Sequence, residues 1–316
     1  MQRLLCALGL WLWVMAAAAA APPPDDATQP VPLDHLPALR GGYFPLLDKA
    51  SGHAYHVYVR LPEGYDAAPE ATWPVVYLLD GDSLFPLLAP THLFLGYDEG
   101  LPEAIVVGIA YGSFDPPLNR RGDDFTADGP DTGPGQGGAE QFQRFLREQL
   151  LPQVENRYRA DATRRVLVGQ SRGGYFVLWS ALRDPDLFQG RIASNPAAGP
   201  ARDQLFAAPA AHRREDLAVV VVSGARDTAP RVRLAAEWAA AWAGRGDAPW
   251  DVDLVVLPEG THAASIGEGY RRAMLRLWGT APGPPAASAP PSTPAPGSAS
   301  PPTRRRERKI APRSRP

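Results

Sequence analysis

Residues 165–183 of the chain read RVLVGQSRGGYFVLWSALR. A short apolar run leads into Gly-Gln-Ser-Arg-Gly at 169–173, and an apolar helical pattern follows it. A G-x-S-x-G motif in this position predicts a sharp strand-to-helix turn that holds its serine in a strained conformation, with the hydroxyl exposed above the sheet. A glycine-rich turn with a helix-capping serine could have the same five residues. Ser171 is therefore the candidate nucleophile.

Short apolar runs alternate with helical patterns on both sides of this motif. The predicted strands cover residues 55–61, 74–79, 104–110, 165–168, 218–222 and 252–257. The predicted helices cover residues 139–158, 173–183, 231–244 and 267–278. All the strands except the first are apolar runs typical of strands buried on both faces. This alternation predicts an α/β fold, in which a mostly parallel central sheet carries helices on both faces.

Two further residues fit the chemistry of a nucleophilic serine, which needs a positioned base to take its proton. His262 follows the last predicted strand, and Asp227 follows the strand before it. The chain order Ser171, Asp227, His262 is the order in which one class of serine hydrolases carries its nucleophile, acid and base. Two alternatives stay open: Glu259 could be the acid, and Asp227 could be a helix N-terminal residue paired with Arg226.

A serine hydrolase also needs two backbone N–H groups aimed at the oxygen of the tetrahedral intermediate. The amide of Arg172, which follows the serine, is one candidate. The other should come from Asp80-Gly81-Asp82, which follows the predicted strand 74–79; we favour Asp82, with Gly81 beside it. Asp80 and Asp82 resemble metal ligands, but no third carboxylate or histidine lies at a supporting spacing. We therefore expect no metal ion and no other cofactor.

The first 20 residues have the composition of a secretory signal peptide. Arg3 gives a basic start, and an apolar stretch and a run of alanines follow. We predict cleavage after Ala20 and export across the inner membrane to the periplasm. The alternative, an uncleaved membrane anchor, would need about 20 apolar residues. Cys6 is the only cysteine and would be removed with the leader, so no intrachain disulfide is expected.

The other end of the chain is also biased in composition. Residues 281–316 contain 11 prolines and end in a basic cluster, which predicts a disordered tail. With 21–39 as an N-terminal lead, residues 40–280 remain as the folded domain. Six arginines and one lysine against one glutamate give residues 304–316 a charge of +6, although the whole chain carries −2. The residues before this cluster therefore carry a net negative charge, and an acidic domain is a poor binder of nucleic acid.

Longer stretches of the sequence resemble a family of α/β-hydrolases that contains the enterobactin, salmochelin and bacillibactin esterases. The matching stretches are VYVRLPEGY (57–65), PVVYLLDGDSLF (74–85), IVVGIAYG (105–112), GGAEQFQRFLREQLLPQVENRYRAD (137–161), RRVLVGQSRGG (164–174) and RDPDLFQGRIASNPA (183–197). The resemblance covers about residues 40–280. It implies the α/β-hydrolase fold, with Ser171 as nucleophile, His262 as base and Asp227 as acid. After Ser194, the run Asn-Pro-Ala-Ala at 195–198 replaces the family's usual Ser-Pro-aromatic run, so we expect a different pocket wall.

The segment 111–138 is long and rich in Gly, Pro and Asp, and it leaves the edge of the sheet where such folds bind ligands. Members of the resembled family keep an arginine followed by an acidic residue here. Arg121 paired with one of the aspartates at 123–124 could therefore pin the loop. Arg120 or Arg172 could instead face the pocket and attract an anionic substrate, because a guanidinium stays charged and binds oxygen anions. Of the arginines in the loop, Arg120 and Arg121 are both candidates for substrate binding.

These features predict a serine esterase that acts on a small-molecule carboxylic ester through an acyl-enzyme. The resemblance implies a siderophore-type substrate such as a catecholate trilactone. A secreted acyltransferase could use the same acyl-enzyme. A hypothesis from another class is a non-catalytic envelope-binding protein whose basic tail binds an anionic polymer. The sequence leaves the oligomeric state open, and it predicts no membrane span once the signal peptide is removed.

Overall fold

The computed structural model of the chain describes residues 31–32 and 35–279. The predicted signal peptide (1–20) and the predicted tail (281–316) lie outside the described residues, so the predictions made for them remain untested. Within the described ranges, no helix is both long enough and apolar enough to span a membrane.

In the described part of the chain, nine strands form one sheet. They are β1 (Val31–Pro32), β2 (Gly41–Leu47), β3 (Ala54–Arg60), β4 (Trp73–Leu78), β5 (Ile105–Ala110), β6 (Ala160–Gln170), β7 (Gly190–Ser194), β8 (Leu217–Gly224) and β9 (Trp250–Leu257). Their order across the sheet is β1-β2-β3-β5-β4-β6-β7-β8-β9. The pairs from β1 to β5 are antiparallel, and all the pairs from β5 to β9 are parallel. The predicted mostly parallel sheet is confirmed.

Helices cover both faces of this sheet. They are α1 (Gly81–Glu99), α2 (Arg121–Asp124), α3 (Ala139–Phe145), α4 (Leu151–Arg157), α5 (Arg172–Arg183), α6 (Ala229–Trp242) and α7 (Ile266–Trp278), with a π-helical segment (Leu146–Leu150) between α3 and α4. Residues of β4 alternate between the two cores: Val75 and Tyr77 pack with α3 to α6, whereas Val76 and Leu78 pack with α1 and α7. A strand buried on both faces has no polar face, which explains its continuous apolar run.

The sequence patterns did not predict α1, β2 or β7. Helix α1 contains Pro86 and Pro90, and each proline removes a backbone hydrogen bond from a helix. Pro45 lies within β2, where it pairs with His56 of β3, and proline is unfavourable within a sheet because it has no N–H to donate. β7 is short and includes Arg191, whose fully buried guanidinium donates to the carbonyl groups of Asp184, Pro185 and Phe188.

Candidate active site

Ser171 lies at the turn between β6 and α5. Its backbone has φ 59° and ψ −113°, a conformation that residues other than glycine rarely adopt, as the motif predicts. Its N–H donates to the carbonyl oxygen of Ser194 at 2.9 Å, which ties the turn to the end of β7. A Cβ on Gly169 would lie 2.3 Å from the carbonyl oxygen of Gly173, and one on Gly174 would lie 2.8 Å from that of Ser194. Glycine is therefore required at both positions.

Asp227 and His262 form a hydrogen-bonded pair at the ends of β8 and β9. The Nδ1 atom of His262 lies 2.6 Å from Oδ2 of Asp227. The side chain of Asp227 is only 2% exposed, whereas that of His262 is 32% exposed. With Nδ1 donating to the carboxylate, Nε2 is the ring nitrogen that can accept a proton.

The carboxylate of Asp227 is held in its charged form. Its Oδ1 accepts from the backbone N–H of Thr228 at 2.6 Å and from Nη1 of Arg231 at 3.2 Å. Burial by itself would raise the pKa of Asp227, but the hydrogen bonds from His262, Thr228 and Arg231 outweigh it and hold the pKa below its ordinary value. A charged, fixed carboxylate orients the imidazole that it contacts.

The two alternatives for the acid do not fit this geometry. The side chain of Glu259 is 89% exposed and pairs with Arg226 at 3.6 Å, whereas the carboxylate bonded to His262 is that of Asp227. Arg226 is therefore the partner of Glu259 and not of Asp227, whose arginine partner is Arg231.

The segment that carries His262 is anchored beside the serine. Its backbone carbonyl accepts from the side-chain amide of Gln170, the residue before Ser171. The hydroxyl of Ser171 itself makes no hydrogen bond with His262 or any other residue that the structure describes. Without substrate, hydrogen bonds between catalytic groups are often long and form only when the complex forms.

Asn195 connects these segments, and the sequence patterns gave it no such role. Its backbone N–H donates to the carbonyl of Val222 on β8 at 2.8 Å, and its Oδ1 accepts from the N–H of Gly224 at 2.7 Å. Its Nδ2 donates to the carbonyl oxygen of His262 at 3.1 Å. The side chain is 1% exposed, so it does not form the pocket wall. A useful signal was that asparagine tolerates the left-handed conformation, which Asn195 adopts at φ 42°.

Two helix N-termini meet beside Ser171. Arg172 is the first residue of α5, and Gly81 and Asp82 are the first two of α1; such residues have backbone N–H groups with no acceptor in their own helix. A Cβ on Gly173 would lie only 3.3 Å from Oδ2 of Asp80, so the starts of the two helices are in contact. Paired N-termini favour negative charge, which suits an oxyanion.

The carboxylates of Asp80 and Asp82 bind other parts of the protein. Asp80 accepts from Nε of Arg121 at 2.7 Å and from Nη2 at 3.0 Å. Asp82 accepts from the backbone N–H groups of Tyr111 and Gly112, both at 2.8 Å. In the described part of the chain, no group of three or more His, Cys, Asp or Glu side chains is placed to hold a metal ion.

The pairing predicted for Arg121 is wrong. Arg121 pairs with Asp80, and it is Arg120 that pairs with Asp123 and, at 3.7 Å, with Asp124. Consecutive residues on a helix do not share a face, so these two arginines are directed to different partners. Both line one cavity together with Arg172. The prediction that Arg120 and Arg121 bind substrate remains untested.

Comparison with known proteins agrees with this fold, which is that of an α/β-hydrolase. A family model described as "Putative esterase" matches residues 49–260, and the chain belongs to this family.

Two curated relatives and one solved structure are similar to the chain. It is 36% identical to "Ferri-bacillibactin esterase BesA" of Bacillus subtilis (strain 168) over 156 residues, which cover 45% of the chain and 53% of the relative. It is 30% identical to "Apo-salmochelin esterase" of Escherichia coli O6:H1 over 164 residues, covering 48% and 49%. The chain thus spans about half the length of each relative. The BES protein from Bacillus cereus has a similar fold, with a TM-score of 0.65, 21% identity and coverage of 75% and 95%.

Proposed function

We propose that the protein is a serine hydrolase that cleaves a carboxylic ester through an acyl-enzyme. The observation that carries this proposal is the hydrogen-bonded Asp227–His262 pair next to the strained turn of Ser171. Family membership supports it, and both curated relatives are named as esterases, which favours hydrolysis over acyl transfer. The names of those relatives also support a siderophore ester as substrate.

The proposed reaction has two halves. The Ser171 hydroxyl oxygen attacks the ester carbonyl carbon while Nε2 of His262 takes its proton, and the N–H groups of Arg172 and of Asp82 or Gly81 bind the negatively charged oxygen. Collapse of this intermediate breaks the bond to the alcohol, which leaves with the proton from His262. Water then attacks the acyl-enzyme and gives a proton to His262. Collapse of this second tetrahedral intermediate returns the proton to the Ser171 oxygen, which restores the serine and releases the acid.

Replacing Ser171 tests the proposal. We expect Ser171→Ala to lower the kcat for a short-chain p-nitrophenyl ester by at least about 10³-fold, because no other group can form the acyl-enzyme. A fluorophosphonate probe should label the wild-type protein and not this variant. Product analysis with an added alcohol would separate hydrolysis from acyl transfer.

Ser180→Ala is a matched control on the same helix, since the Ser180 hydroxyl is buried and has no hydrogen-bond partner among the described residues. It should be labelled like the wild type. A wild-type protein that the probe does not label would contradict the proposal and favour the non-catalytic envelope-binding hypothesis. The predicted periplasmic location is a separate proposal that this experiment leaves untouched.

A further inference from the structure

Arg172 differs from the two other arginines that line its cavity. Arg120 and Arg121 are each paired with a carboxylate, Arg120 with Asp123 and Arg121 with Asp80. The side chain of Arg172 is exposed, and its guanidinium makes no hydrogen bond or ion pair with any residue that the structure describes, although its charge acts on Asp80. Directly after the candidate nucleophile there is therefore a guanidinium that is not bonded to a carboxylate.

The guanidinium of Arg172 lies in a cavity of about 760 Å³ under the loop 111–138. Its Nη1 is close to α2, since a Cβ built on Gly122 would lie 3.6 Å from it. Gln136 lines this cavity too, and its Oε1 accepts from the N–H of Gly133 at 3.2 Å, while its amide nitrogen has no partner among the described residues. Two sets of unused N–H donors thus border one cavity.

A second cavity of about 510 Å³ adjoins the first and has mostly apolar walls, which include Tyr58, Phe85 and Phe114. Phe114 lines both cavities and is 74% exposed, so it separates them as a shared wall. Gly81 lines the apolar cavity and Arg172 lines the polar one. The starts of α1 and α5, which are in contact next to Ser171, thus each border one of the two cavities.

The charges around Arg172 favour an anion in the polar cavity. The carboxylate that lines it, Asp123, is already bonded to Arg120. Asp131 lies with Arg172 on a third, smaller cavity of about 350 Å³, and no ion pair forms between them. Guanidinium groups bind carboxylate and phenolate oxygens through two parallel N–H donors, and the charge is kept at every physiological pH.

We propose that Arg172 and Gln136 form a subsite for an anionic group of the ester, such as a carboxylate or phenolate, and that an apolar group of the same ester occupies the cavity beside Phe114. This inference rests on the proposed esterase function and adds the chemical class of the substrate. The backbone N–H of Arg172 contributes to the oxyanion site, whereas its side chain selects the substrate.

A pair of esters that differ in one charge tests the subsite. The p-nitrophenyl monoester of succinic acid is anionic, and p-nitrophenyl pentanoate is a neutral ester of similar size. We expect Arg172→Gln to lower the ratio of kcat/KM for the anionic ester to that for the neutral ester by about tenfold, the loss of one favourable charged contact. The loss should appear in KM, and it should shrink as salt is raised because exposed charges are screened.

Arg183→Gln is the matched control, since Arg183 is the half-exposed arginine at the other end of α5 and lines none of these cavities. It should change both esters by the same factor, and Arg172→Lys should restore part of the selectivity. Equal effects of Arg172→Gln on the two esters would overturn the subsite. Labelling of that variant by a neutral fluorophosphonate reports separately on the proposed esterase function, so the two failures can be told apart.

Discussion

At the scale of single residues, Asn195 shows how the loops that carry the acid and the base are held in register. The Asn195 side chain accepts a hydrogen bond from the N–H of Gly224 and donates one to the carbonyl oxygen of His262. Gly224 begins the segment that leads to Asp227. The motif around Ser171 and the chain order of acid and base were visible in the sequence because they are local signals. The role of Asn195 was not, since its partners lie 29 and 67 residues further along the chain.

Replacing Asn195 should misplace the imidazole without removing it. We expect Asn195→Ala to lower kcat by up to about 10²-fold, the effect of a displacement near 1 Å, with a smaller change in KM. Asn195→Asp keeps the acceptor for Gly224 but loses the donor to His262, so its kcat should fall as well. Kinetics on a p-nitrophenyl ester would measure both.

Asn156→Ala, a change at an exposed residue of α4, is the control and should behave as the wild type. If Asn195→Ala unfolds at the same temperature as the wild type and keeps its full kcat, the hydrogen bond to His262 has no positioning role.

At the scale of elements, the loop 111–138 is fixed to the body of the protein by several hydrogen bonds and ion pairs. Asp82 on α1 holds its first residues by their backbone N–H groups, and Arg121 binds Asp80. Asp124 is buried and accepts from the hydroxyls of Tyr55 and Tyr111, at 2.7 and 3.0 Å. The loop and its place at the sheet edge were predicted, but the ion pairs were not, because sequence patterns do not show side-chain direction across 41 residues.

Removing Arg121 should loosen this loop and leave the carboxylate of Asp80 without its partner. The side chain of Asp80 is 12% exposed, so without its partner it would be an uncompensated, nearly buried charge. We expect Arg121→Ala to lower the free energy of unfolding by about 1.5 to 3 kcal/mol, the usual effect of losing a hydrogen-bonded charged partner. Denaturant unfolding would measure the loss, and kcat/KM should fall with it.

The surface pair of Arg272 with Glu268, both nearly half exposed, gives a control. Arg272→Ala should cost no more than about 0.5 kcal/mol. Equal losses for the two variants would mean that the Asp80–Arg121 pair contributes no more than an exposed one.

At the scale of the whole molecule, buried ionisable groups make folding depend on pH. His92 on α1 lies against α7, where its Nδ1 accepts from the Tyr270 hydroxyl at 2.8 Å; its Nε2 lies 3.2 Å from the carbonyl oxygen of Pro102 and donates to it. Burial lowers the pKa of His92 to about 4; Arg60 lowers it too, and the bond to Pro102 opposes this. A proton on this imidazole would place a charge in the core.

The sign of the pH effect follows from these pKa values. As the pH falls below 6.5, the unfolded chain binds a proton at His92 that the folded chain does not bind until about pH 4, so the free energy of unfolding falls. His53, with a pKa lowered to about 4 by burial, acts in the same direction. Asp124 acts in the opposite direction, since burial raises its pKa to about 6. Asp80, whose pKa is also raised by burial, acts in the same direction as Asp124, so the contribution of His92 has to be measured by replacing it and not read from the net slope.

Replacing His92 tests this dependence. Urea unfolding at pH 7 and pH 5 should show that His92→Gln reduces the pH slope of the wild type by up to about 1.4 kcal/mol per pH unit, the value for one proton. Tyr270→Phe removes the hydrogen bond but keeps the buried imidazole, so it should keep the slope. A His92→Gln protein with the slope of the wild type would contradict the assignment, whatever its absolute stability.

Three residues described above, Asp80, Ser171 and Asn195, have positive φ angles of 51°, 59° and 42°, and each follows a neighbouring strand at the same edge of the sheet. A strained backbone of this kind costs about 1 to 3 kcal/mol at each position, and glycine would relieve it. At Ser171, whose hydroxyl makes no hydrogen bond in the described structure, selection for heat resistance alone would therefore favour glycine and would remove the candidate nucleophile. The edge of the sheet that holds the proposed active site is thus also where backbone strain lowers thermal stability. Stabilising substitutions should therefore be sought elsewhere in the fold.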